Sequence, residues 1–127
     1  MDTLTQNHLV TLRQLLAYRL RDLRAELDAE SGAARAASAA SPDVRDAKDM
    51  ASEAQLSEVD AAETARDVDE LAGVEAALRR LDANQYGDCM DCGSPIPLQR
   101  LLVQPAAARC AVCQSAFEGR ERRQAGP

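Results

Sequence analysis

Four cysteines fall in one short stretch near the end of the chain. They read Cys89-Met-Asp-Cys92-Gly and Cys110-Ala-Val-Cys113, with seventeen residues between the inner two. Two Cys-x-x-Cys pairs at this interval form the pattern of a four-thiolate zinc site. Zinc takes four ligands tetrahedrally, and two intervening residues let a tight turn set both sulfurs on one ion with backbone N–H groups aimed at them. Gly93 suits such a turn because it reaches positive φ without a Cβ clash. The loop from Ser94 onward then folds back to bring the second pair to the first. A module this short buries little apolar surface, so the metal supplies much of its folding free energy. Four sulfurs leave no coordination position for water, so the expected zinc is structural and single.

Paired cysteines also serve as disulfides and as redox centres. Disulfides need an oxidising compartment, and Met1 to His8 carry no basic stretch followed by an apolar one, so no secretion signal is expected. A redox Cys-x-x-Cys sits at a strand-to-helix junction in a βαβ pattern, and none is readable here.

Tyr18, Tyr86 and Phe117 are the only aromatics among 127 residues. Ala, Leu, Arg, Glu and Asp dominate, which points to long helices rather than a thick core. No apolar run approaches the roughly twenty residues needed to span a bilayer. A formal charge of -6 argues against general nucleic-acid binding, which needs a basic surface. A soluble cytoplasmic protein that acts on other proteins is expected, with neither membrane nor direct nucleic-acid contact, and as a monomer.

Thr5 reads as the N-cap of a helix whose apolar stripe is Leu9, Leu12, Leu16, Leu20, Leu23 and Leu27, at spacings of three and four. The stripe thins to alanines between Ala29 and Ala40, where Gly32 is either a tolerated irregularity or a hinge. Ser41-Pro42-Asp43 ends this helix and opens the next. The second helix runs to about Ala83 with the stripe Val68, Leu71, Val74, Leu78 and Leu81. Its heptad continues backward through Thr64, Ser57 and Met50. Two such helices with a tight turn between them form an antiparallel coiled-coil hairpin. The expected class is therefore all-α: a hairpin over residues 1–84 with its tip near 41–51, then a four-cysteine module with a short C-terminal helix over 85–127. That last helix is expected from Gln114 to Gln124, with Arg120, Arg122 and Arg123 near its end, where cations suit the dipole.

Asp43, Asp46 and Asp49 gather at the tip, with Arg45 and Lys48 between them. Acids are favoured in a first helical turn anyway. Carboxylate pairs also bind divalent ions, but no histidine completes such a site, because His8 lies near the opposite end.

The tip and the cysteine module together resemble the DksA/TraR family of bacterial RNA-polymerase-binding transcription factors. The family's Asp-x-x-Asp-x-Ala tip is matched by Asp46, Asp49 and Ala51. The module is matched by Tyr86-Gly87, Cys89, Cys92-Gly93, Ile96, Arg100-Leu101, Pro105, Cys110 and Cys113. The resemblance runs from about Leu4 onward. It implies a non-enzymatic regulator that inserts its hairpin through the polymerase's secondary channel and modulates initiation without touching promoter DNA. Asp49 would be the principal effector, with Asp46 and Ala51 beside it and the cysteines structural. Compared with the longer members the chain lacks an N-terminal extension. The basic positions that accompany guanosine tetraphosphate binding are Gly73, Gln104 and Gln114 by ungapped alignment. A polyphosphate ligand needs cations, so synergy with the alarmone is expected to be small, unless Arg66, Arg79, Arg80 or Arg109 takes over the role. Three other functions compete with this one: a transcript-cleavage type of secondary-channel factor, a hydrolase built on Asp46 and Asp49 but lacking a nucleophile-base pair, and a zinc-stapled adaptor with no polymerase partner.

Overall fold

The computed structural model describes residues 4–39 and 47–125, with side chains described over 4–32 and 58–124. The Ser41-Pro42-Asp43 turn lies outside the described residues. Four helices are described: α1 (Gln6–Ala39), α2 (Ala47–Asp82), α3 (Leu98–Val103) and α4 (Ala111–Ala125). Among the described residues there is no strand, only an isolated antiparallel bridge between Asp88 and Pro95. No described helix is long and apolar enough to cross a membrane. The chain divides into two compact units, one of Met1–Tyr18 with Gly73–Pro127, the other Arg19–Ala72.

α1 begins where the sequence places its cap. The Thr5 hydroxyl accepts from the His8 backbone N–H at 3.1 Å, and His8 Nδ1 accepts from the Thr5 N–H at 3.1 Å. This is a reciprocal capping box with histidine in the place usually held by Glu or Gln. Thr5→Ala is expected to lower stability by about 1 kcal/mol, read as a shift in urea midpoint, because the His8 N–H loses its acceptor at the helix end. The helix then runs through Gly32 without a break.

The core of the first unit is a leucine seam. Leu12, Leu16, Val74 and Ala77 are at most 1% exposed, with Leu81 beside them. Arg13 pairs with Asp82 at the surface across α1 and α2. α2 stops in a Schellman arrangement. The Gln85 N–H reaches the Arg80 carbonyl at 2.8 Å and the Asn84 N–H reaches Leu81 at 3.3 Å, while Asn84 takes φ 59. Asparagine is one of the few non-glycine residues that visits this left-handed region readily.

In the second unit Leu23 is fully buried, and the seam turns polar beyond it. Thr64 donates its hydroxyl to Glu30 at 2.8 Å. Arg19 grips Glu70 with both guanidinium arms, one at 2.7 Å. Later residues of α1 thus meet earlier residues of α2, which makes the pair antiparallel. A polar pair on the flank of the leucine seam, joining the two helices, helps to fix their register. The Arg19 hydrogen bond holds the Glu70 carboxyl below its ordinary range. The pair therefore contributes at neutral pH and loses its contribution as pH falls through that depressed range. Both side chains are over 40% exposed, so its worth is within about 1 kcal/mol.

Val68 departs from the expected stripe, since it is 49% exposed. Stepping back by sevens from buried Val74 reaches Asp67, which is the half-buried residue of the two. The seam keeps the heptad and leaves Val68 on its flank.

Candidate metal centre

The chain leaves α2 and at once builds the first cysteine turn. Tyr86 is buried and donates its hydroxyl to the Pro105 carbonyl at 2.8 Å; burial pushes its phenol up to about 12. Gly87 takes φ +100, a backbone conformation that L side chains rarely adopt, and a Cβ there would also press on the Leu4 side chain at 2.7 Å. The Cys89 N–H donates to Ser94 at 2.8 Å and the Ile96 N–H to Gly87 at 2.7 Å, closing a small loop over the turn. Gly93 closes the turn itself, at φ +75, with its N–H on the Cys89 carbonyl at 2.9 Å. The glycine expected from the sequence thus takes the positive φ it was read for.

Between the two cysteine pairs lies α3, an element the sequence reading left as loop. Its first turn forms on the Pro97 carbonyl, which accepts from Arg100 and Leu101. Leu101 is fully buried. Leu98, Leu101 and Leu102 at helical spacing after a proline were the available signal. The second pair opens α4, which starts three residues before the expected Gln114 and so carries Cys113 within it.

The Sγ atoms of Cys89, Cys92, Cys110 and Cys113 all lie within 4.8 Å of one another. Zinc–sulfur bonds of about 2.3 Å set tetrahedral sulfurs roughly 3.8 Å apart. The sulfurs of Cys92 and Cys110 are 3.8 Å apart, and all four cysteines are unbridged. The Cys92 N–H points at the Cys89 sulfur, 3.5 Å away. That N–H is the chief reason the Cys89 thiol is pulled down to about 6. The Ser94 hydroxyl and N–H lower Cys92 as well. Cys113 goes the other way, to about 12, because the sulfurs of Cys110, Cys89 and Cys92 crowd it. The crowding that raises Cys113 is the repulsion that a cation among the four sulfurs would relieve. The arrangement fits one zinc ion, which would supply a cross-link between the two turns and no open position for chemistry.

Arg109, which the sequence offers only as a substitute alarmone contact, donates to Asp91 at 2.8 Å and sits over the Phe117 ring, 4.0 Å from its centroid. Opposite charges placed next to one cysteine of each pair were the signal for this contact. Of the expected tip residues, Asp46 lies outside the described residues. Asp49 and Ala51 belong to α2, with their side chains outside the described set.

A helical protein with a four-cysteine zinc finger packed against the ends of two long helices is the class that the first unit defines. Residues 84–119 match the family described as the prokaryotic dksA/traR C4-type zinc finger. A solved structure of the transcription factor DksA2 from Pseudomonas aeruginosa is similar to the chain with a TM-score of 0.76 and 31% identity, over 92% of this chain and 88% of that one. The chain belongs to the DksA/TraR family. Among curated relatives, an RNA polymerase-binding transcription factor DksA from Haemophilus influenzae is 40% identical over 53 residues, and the Escherichia coli protein of that name 34% over 53. Those matches span 42% of this chain and only 37% and 35% of the two relatives' lengths.

Proposed function

We propose that this protein is a non-enzymatic transcription regulator of the bacterial cytoplasm. It binds RNA polymerase and carries the acidic end of its hairpin into the secondary channel to modulate initiation, without contacting DNA. The observation that carries this reading is the likeness to the DksA2 structure along nearly the whole chain. The names of the shorter curated matches supply polymerase as the partner. A formal charge of -6 agrees with a protein partner rather than nucleic acid. In the division of labour proposed, residues 1–84 form the probe and residues 85–127 the metal-held handle. Cys89, Cys92, Cys110 and Cys113 ligate one zinc, while Asp49 is the effector with Asp46 and Ala51 beside it. Gly73, Gln104 and Gln114 carry no positive charge, so guanosine tetraphosphate adds little through this protein's own surface.

Capture of core polymerase by the purified protein tests the partnership. Asp49→Asn then tests the tip, because it removes a charge with almost no change of shape. It is expected to abolish the effect on transcription in vitro, leaving polymerase affinity within about a few-fold and stability within about 0.5 kcal/mol. Collapse of affinity with normal activity per bound complex would make Asp49 a docking residue instead.

A further inference from the structure

The two cysteine turns are joined by more than their sulfurs. Asp91 lies inside the first Cys-x-x-Cys and Arg109 immediately precedes the second. Their side chains meet at 2.8 Å, with the Arg109 side chain only 18% exposed. The guanidinium also stacks on Phe117, which stands one helical turn after Cys113 on α4. Two backbone-anchored bonds run alongside. The Met90 N–H donates to the Ala108 carbonyl at 2.8 Å, and Arg100 of α3 donates to the carbonyl of Arg109 itself at 3.1 Å. Arg109 thus stands beside Cys110 and touches the first turn, α3 and α4.

We infer that Arg109 is a positioning residue for the metal site: with Asp91 and Phe117 it forms a brace that holds the second cysteine pair at ligand distance from the first. The inference rests on the reading of the four cysteines as zinc ligands.

The physical argument concerns how such a site loses its ion. Dissociation from four thiolates proceeds stepwise, and the step that commits is the departure of one pair from the other. Seventeen residues separate Cys92 from Cys110, so an unbraced second pair would swing through a large volume once one sulfur let go. Tethered by Asp91 and Phe117, it stays at high effective concentration and rebinds. Charge works in the same direction. Four thiolates around a divalent ion leave a net negative centre, and a partly buried guanidinium next to Cys110 offsets it. Arginine suits the place better than lysine, because its planar fork can hold a carboxylate and lie flat on a ring at once.

The test uses the zinc-loaded full chain at fixed pH and follows zinc transfer to an excess of chelator with a metallochromic dye. Groups that orient metal ligands typically change affinity by about 10- to 100-fold. Arg109→Met is expected to speed zinc loss by about tenfold, and Asp91→Asn by a similar factor. The double variant is expected to be no faster than either single one, and the exchanged pair Asp91→Arg with Arg109→Asp to recover part of the loss. Arg109→Lys should fall between, keeping the charge and losing the stacked fork. Far-UV circular dichroism of each loaded variant should match the parent, which separates a faster metal site from a poorly folded chain. If Arg109→Met does not fold, the near-isosteric Asp91→Asn decides alone. Zinc loss within about twofold of the parent for Asp91→Asn, or additive effects in the double variant, would overturn the brace. A parent protein that takes up no zinc would overturn the ligand reading, and the brace with it.

Discussion

Stripping zinc with a chelator is expected to release α3 and α4 while most of the helix content survives. The two long helices hold 34 and 36 residues, against 6 and 15 for α3 and α4. Their most buried side chains, Leu12, Leu16, Val74 and Ala77 in the first unit and Leu23 in the second, include no sulfur ligand. What the ion holds is the turn from Cys89 to Gly93 and the return of Cys110, a segment whose buried side chains besides Cys89 are Ile96, Leu101 and the flanking Tyr86. Such small modules draw much of their folding free energy from metal binding. Circular dichroism should therefore lose a minority of its helical signal on chelation, and Cys110→Ser should give the same spectrum without a chelator. Amide exchange should speed up over residues 85–125 and stay slow near Leu16 and Val74. Collapse of the whole helical signal would mean that the hairpin depends on the finger for its stability.

Leu101→Ala in the zinc-loaded protein is expected to cost about 3 kcal/mol, whereas Leu102→Ala should cost no more than about 0.5 kcal/mol. The two leucines are neighbours on the same short helix, yet Leu101 is fully buried and Leu102 is 46% exposed. Truncating Leu101 removes buried methyl groups and leaves a cavity that so small a module can hardly collapse around. Truncating Leu102 returns to water a surface that was already half there. Urea denaturation of both variants gives the comparison directly. Equal costs would mean that α3 packs through a different face. The zinc transfer rate of Leu101→Ala should also rise, because the Arg100 bond to the Arg109 carbonyl is held by the same helix.

The features legible in the sequence are those set by local rules. The Cys-x-x-Cys spacing determines that two sulfurs share an ion, and the structure gathers all four. Thr5 caps α1, Asn84 ends α2, and the leucine spacing makes both segments helical, because each is decided within one or two turns of chain. The motif residues around Cys89 and Cys113 carried the family, and the likeness along the whole chain bears that out. The effector role proposed for Asp49 rests on the motif alone.

Tertiary structure decided the rest. That the seam takes Asp67 and leaves Val68 on its flank, that Leu101 rather than Leu102 turns inward, and that α4 begins at Ala111 all depend on what stands opposite. The ion pairs depend on it most. Arg19 finds Glu70 fifty-one residues away, and Arg109 finds Asp91 eighteen residues away. Among 36 formally charged side chains, of which 15 are Lys or Arg and 21 Asp or Glu, sequence alone offers hundreds of such pairings. Surface attraction at any one of them is worth only about 0–1 kcal/mol, too little to select itself. Helix register and the closure of the cysteine turns bring particular side chains within reach first, and only then do the charges pair.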